Sequence, residues 1–65
     1  MSKIGLRAAR VNANYTLPEA SKAVGVSKYT LAQYEKGESM PRWDVFQKLC
    51  ALYGFSVNDI FLPKR

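Results

Sequence analysis

The sequence has no histidine and only one cysteine in 65 residues. An intrachain disulfide is therefore excluded, and a zinc site lacks the ligands it draws on. The commonest agents of acid–base and nucleophilic catalysis are missing as well. No carboxylate pair or glycine-rich phosphate loop replaces them, so neither an enzyme nor a small-molecule cofactor is expected. The lone thiol, Cys50, lies within Leu49-Cys50-Ala51-Leu52 and reads as a small buried hydrophobe. No apolar run approaches the ~20 residues of a membrane span, and the N-terminus lacks the apolar core of a signal peptide. These absences predict a cytoplasmic protein with no membrane partner.

Acidic residues are also scarce. Five Asp and Glu stand against ten Lys and Arg, a net charge of +5. A surplus of this sign favours polyanionic partners, and it becomes informative where the charges share a face. A chain of this length makes one domain, residues 1–65, with a small core.

Helical periodicity organises what is present. Residues 3–13 read as a first helix, with Leu6, Ala9, Arg10 and Ala13 on one stripe and Asn14 as its stop. Arg10 is the charged member of an inward row. Thr16-Leu17-Pro18-Glu19 is a capping box with proline in the first turn, opening a second helix to about Val24. Ala20, Ala23 and Val24 face inward, Gly25 makes a turn, and Val26 plugs the core beside it. Lys22 is on the outer face as solvated charge. A fourth helix spans Arg42 to Tyr53 behind Pro41, with Val45, Phe46, Leu49, Leu52 and Tyr53 at helical spacing and Trp43 packed on the core. Gly54 stops it, and Ser56-Val57-Asn58-Asp59 opens a single-turn fifth helix carrying Ile60, Phe61 and Leu62. No strand pattern, repeat or linker is visible. The expected fold is all-α: five short helices on one core.

The stretch Ser27 to Gly37 holds the centre of this arrangement. Ser27 is a helix N-cap, and Gly37 suits a left-handed closure. Leu31 and Tyr34 share one face as anchors. Lys28, Tyr29, Thr30, Ala32, Gln33 and Lys36 are left outside, with no carboxylate before Glu35. A short helix presenting amide, hydroxyl and ammonium groups suits a DNA major groove. With the preceding helix it forms a helix-turn-helix over about residues 17–36.

Ala23-Val24-Gly25-Val26-Ser27-Lys28-Tyr29-Thr30-Leu31, then Tyr34-Glu35-Lys36-Gly37 and Pro41, resembles the Cro and phage-repressor type of helix-turn-helix, which is widespread in bacteria and their phages. Tyr53-Gly54-Phe55-Ser56-Val57-Asn58-Asp59-Ile60 matches that family's junction between its fourth and fifth helices. The resemblance covers roughly residues 4 to 62 and implies a five-helix lambda-repressor-like DNA-binding domain. It further implies that Arg10 pairs with Glu35; the alternative is two independent surface charges. Leu17 departs from the family, which often has a glutamine there that braces the recognition helix and touches phosphate.

Carried over residue by residue, the resemblance makes Lys28, Tyr29, Thr30, Ala32 and Gln33 the base readers. Tyr29 keeps two other readings, a partly packed aromatic or a phosphate contact. Thr16, Ser27, Lys36, Arg42 and the backbone amides around Ser39 and Met40 are the phosphate contacts. Lys3, Lys64 and Arg65 add diffuse attraction. Specific sites need more buried surface than one such domain supplies, so a homodimer is expected. Phe55, Val57, Ile60, Phe61 and Leu62 are the apolar surface offered for it, divided between the interface and the core. The functional expectation is a nucleoid-associated regulator, a repressor that binds a pseudo-palindromic operator on double-stranded DNA. The competing expectation is a protein-interaction or antitoxin-type module that uses the same fold with little DNA reading.

Overall fold

A computed structural model describes residues 4–62, so Lys3, Lys64 and Arg65 lie outside the described residues. Four α-helices form the body: α1 (Leu6–Asn12), α2 (Leu17–Val24), α3 (Lys28–Lys36) and α4 (Trp43–Tyr53). Local chemistry sets their ends. The Thr16 hydroxyl accepts from the Glu19 amide, and the Glu19 carboxylate accepts from the Thr16 amide at 2.9 Å, so the capping box of α2 is complete. Asn14, at φ 66, carries the chain out of α1 through the left-handed region, which asparagine tolerates better than most side chains. Gly25 and Gly37 take φ of 82 and 80 where α2 and α3 close, a conformation that costs glycine nothing. Behind Gly25, the Val26 amide returns to the Ser21 carbonyl at 3.0 Å and satisfies the last turn of α2.

Two expectations fail at the ends of the chain. The first helix starts at Leu6, not residue 3, because Ile4–Gly5 is a strand, β1. The fifth helix is shorter than expected and is not an α-helix. Val57–Asp59 makes one 3₁₀ turn, capped by the Ser56 hydroxyl on the Asn58 amide at 3.2 Å, and Ile60–Phe61 then forms β2. Pro63 explains the stop: it disfavours helical backbone at Leu62, which leaves too few residues for a stable turn. Ile60 is β-branched and suits a strand. The two strands pair in parallel, Ile4 with Ile60 and Gly5 with Phe61, and join the two ends of the described chain.

The core lies between the helices and this small sheet. Leu6, Ala9, Ala20, Leu31, Leu49 and Cys50 are essentially sealed, with Phe46, Tyr53, Tyr34 and Ile60 around them. Ser21 is buried where α2 meets its neighbours, and its hydroxyl donates to the Pro18 carbonyl at 3.1 Å, so a small polar group fits without an orphaned proton. Ile60 is core, 4% exposed, and is not available as dimer surface.

Arg10 is buried on the inward stripe of α1. Its Nε donates to Glu35 Oε2 at 2.8 Å, Nη2 reaches Glu35 Oε1 at 3.4 Å, and Nη1 donates to the Tyr15 carbonyl at 2.9 Å. One guanidinium thus joins α1, the connection into α2 and the last turn of α3. Beside it, Tyr53 lies 6.1 Å from Tyr15, ring centre to ring centre, and burial, helped by the Glu35 charge, pushes its phenol well above the usual value.

Two outcomes follow from these contacts. Removing one partner of a nearly buried ion pair leaves the other charge unpaired, so Arg10→Met should cost about 3–5 kcal/mol in urea unfolding. Arg10→Met with Glu35→Leu should recover a large part of that loss; simple additivity of the two single losses would show that the groups do not act as a pair. The second outcome concerns Glu19, whose carboxyl is held below its usual range by the Thr16 amide and hydroxyl. Its contribution is full above the unfolded-state value and is lost as pH falls through the lower folded-state value. Glu19→Gln should therefore flatten the acid limb of a stability–pH curve there, and an unchanged limb would contradict the assignment.

Candidate nucleic-acid interface

The exposed side of α3 is built by what α3 buries. Leu31 and Tyr34 anchor it in the core, three residues apart, and the helix stands against α2 across the Gly25 turn. Lys28, Tyr29, Gln33 and Lys36 are then exposed, while Thr30 and Ala32 are half-buried along the edge of the same face. Tyr29 is 73% exposed, which leaves no packed role for its ring; Lys28 Nζ lies 5.5 Å over that ring, a cation–π contact within the face.

Capping ties up three of the hydroxyls. The Ser27 Oγ accepts from the Thr30 amide at 3.1 Å and pairs with the Thr30 hydroxyl at 2.9 Å, so both groups are held at the start of α3. The Thr16 hydroxyl donates to the Glu19 carboxylate at 3.1 Å, which sets an anion beside it. Any phosphate at Thr16 would have to displace that contact.

The electrostatics of α3 depend on Glu35. It is the helix's one carboxylate, and Arg10 holds it with its side chain 5% exposed. Lys28 and Lys36 are thus left as the exposed charges of α3. Beyond Gly37, Ser39 is half-buried, Met40 is exposed, and Arg42 stands at the N-cap position of α4 without a side-chain capping bond, its exposed Nε 3.8 Å from Asp44 Oδ1. Arg7, Lys22 and Lys48 are exposed on α1, α2 and α4, so the positive charge is spread over every helix and is not confined to α3.

Trp43 differs from expectation. Its spacing puts it in line with Phe46, Cys50 and Tyr53, yet it is 61% exposed and only leans on Phe46, 5.9 Å between ring centres. It is the first residue of α4, and Phe46 is the first buried one, so Trp43 overhangs the end of the core.

The residues offered for a dimer divide unevenly. Phe55, Val57 and Leu62 are half-buried against the core, and Ile60 is inside it. Phe61 remains, 47% exposed, with its ring over Gly5 and facing a cleft shared with Val11, which is 53% exposed. Val11 carried no signal as a surface residue beyond its place off the inward stripe of α1. Among the described residues no helix is long and apolar enough to cross a membrane.

Comparison with known proteins agrees with this geometry. Residues 5–60 match the family described as helix-turn-helix domain. Over 55 residues the chain is 31% identical to the cryptic phage CTXphi transcriptional repressor RstR of Vibrio cholerae, an alignment covering 85% of this chain and 50% of that protein. The chain therefore spans about half the length of the curated relative it matches. No solved structure matches it. The match runs through α2, the Gly25 turn and α3, and the chain belongs to the helix-turn-helix domain family, in its Cro and phage-repressor form.

Proposed function

We propose that the chain is a DNA-binding regulator of transcription, a repressor that lays α3 in the major groove of an operator. The observation that carries this reading is the exposed face of α3, where Lys28, Tyr29 and Gln33 stand free while the single carboxylate of the helix is neutralised from behind by Arg10. A groove lined by base donors and acceptors and flanked by phosphates selects for that surface. Gln33 fits adenine in bidentate fashion, Lys28 donates to guanine O6 or N7, and the Ala32 methyl meets thymine. Ser27, Lys36, Arg42 and the amides of Ser39 and Met40 take phosphates and set the register without specifying sequence. The Vibrio phage relative is a transcriptional repressor, which supports the direction of regulation.

The same reading includes a homodimer on a pseudo-palindromic site, its halves about one helical turn apart. Phe61, beside Val11, is the most exposed of the C-terminal apolar residues and offers surface for such a contact, whereas Ile60 is occupied by the core. The protein acts where DNA is, in the cytoplasm at the nucleoid, by excluding the transcription machinery.

The test is a titration of mixed-sequence duplex at several salt concentrations, followed by the same on the duplex the protein prefers. Binding should weaken linearly in a log–log plot against salt as phosphate counterions are exchanged. Gln33→Ala should reduce affinity for the preferred duplex by about tenfold or more and leave mixed-sequence affinity nearly unchanged. Salt-independent binding, or none, would contradict the DNA reading, and a wild-type preference in Gln33→Ala would remove Gln33 from the base readers.

A further inference from the structure

A cleft of about 740 Å³ opens where β1 runs into α1 and β2 lies alongside. Ile4, Ala8, Val11 and Phe61 give it apolar walls, and the Phe61 ring reaches to 3.5 Å from where a β-carbon on Gly5 would stand. A hollow of ~300–1,000 Å³ with apolar walls and few polar groups is the shape of a small-molecule site. Val11 and Phe61 are exposed on it, and burying them against a ligand is favourable.

Three polar side chains line the same cleft, and their charges do not cancel. Glu35 is held by Arg10 with its side chain 5% exposed, so its charge is already answered. Arg7 is exposed and, among the described residues, has no carboxylate within ion-pair distance. Four residues separate Arg7 from Val11 on α1, so the cation stands beside the apolar wall on one helix face. Asn12 follows Val11 with an exposed amide, a neutral donor for the same anion.

We infer that this cleft binds a small apolar anion, an aromatic or alkyl carboxylate or sulfonate. Its apolar body lies between Val11 and Phe61, and its charge meets Arg7. A second copy fills the hollow poorly, because a two-fold contact centred there sets hollow against hollow and one Arg7 against the other. The bound anion covers Val11 and Phe61, the surface offered to pairing, so occupancy opposes the dimer and lowers operator affinity. That effector role rests on the reading of the chain as a dimeric repressor; the binding of the anion does not.

The experiment uses the full chain, nitrogen-labelled for NMR, and anilinonaphthalene sulfonate, an apolar anion whose emission rises on leaving water. Binding should saturate at one probe per chain, with amide shifts centred on Gly5, Ala8, Val11 and Phe61. Phe61→Ala should weaken it by about tenfold. Arg7→Gln should weaken it by about threefold, a difference that shrinks as salt is raised. Naphthylacetate should displace the probe more effectively than naphthylethylammonium, which has a similar apolar body and the opposite charge. Circular dichroism shows whether the variants are folded, and Val11→Ser supplies the same loss of affinity if Phe61→Ala is not. Saturating probe should shift the chain toward monomer in sedimentation and weaken its hold on the preferred duplex several-fold. Shifts scattered over the molecule, unchanged affinity in Val11→Ser, or equal displacement by the two naphthyl compounds would overturn the site. Probe seated in the cleft with self-association unchanged would overturn the effector role. A chain that is monomeric without probe, or binds no duplex, would overturn the dimeric-repressor reading and the effector role with it, while the mapped anion site would stand.

Discussion

The Arg10 guanidinium is the contact on which the rest of the molecule depends. It reaches from α1 to the carboxylate of Glu35 near the end of α3 and to the carbonyl of Tyr15 just before α2. A nearly buried ion pair is a poor source of net stability, because desolvating both charges offsets most of their attraction. It is a strong source of position, because any arrangement that separates the two leaves a charge without a partner. The turn before Gly37 therefore has one register against α1. The same bond also acts outward, since it withdraws the only carboxylate of α3 from the surface.

Position matters because α3 cannot hold itself. Nine residues are too few to be helical in isolation, so the helix exists by packing Leu31 and Tyr34 and by capping at Ser27 and Gly37. Packing and capping also decide orientation. Once two anchors three residues apart are inside, Gln33 and Tyr29 have to be outside. The small parallel sheet completes this frame, where Ile60 seals the core and ties the C-terminal segment to the strand ahead of α1.

How much of this was legible in the sequence follows the range of the forces involved. The helix-turn-helix was legible because its signals are local: Thr16 and Glu19 at capping distance, Pro18 in a first turn, and a glycine at each place where a helix reverses. The sheet was not. Two residues are too short for an alternating pattern, and the partner of Ile4 lies at the other end of the chain. Ser56 caps a single helical turn as its spacing predicts, but the turn is 3₁₀ and ends before Ile60, because a serine caps a 3₁₀ turn with the same hydroxyl that starts an α-helix and Pro63 disfavours helical backbone at Leu62. Trp43 failed differently. Helical spacing gives the angle of a side chain around an axis but not whether the core extends that far along it. At the candidate site, the outward side chains of α3 follow from its two anchors. Which base each one meets depends on the angle of docking, which no property of this chain alone determines.

The most direct test of the account is selection from random duplex DNA, with sequencing of the bound pool. An enriched inverted repeat with half-site centres about one helical turn apart is the predicted result, because it requires both an α3 that reads bases and a two-fold pairing of the chain. A pool that stays unenriched while the protein remains bound would contradict the account, since it would reduce the interface to charge.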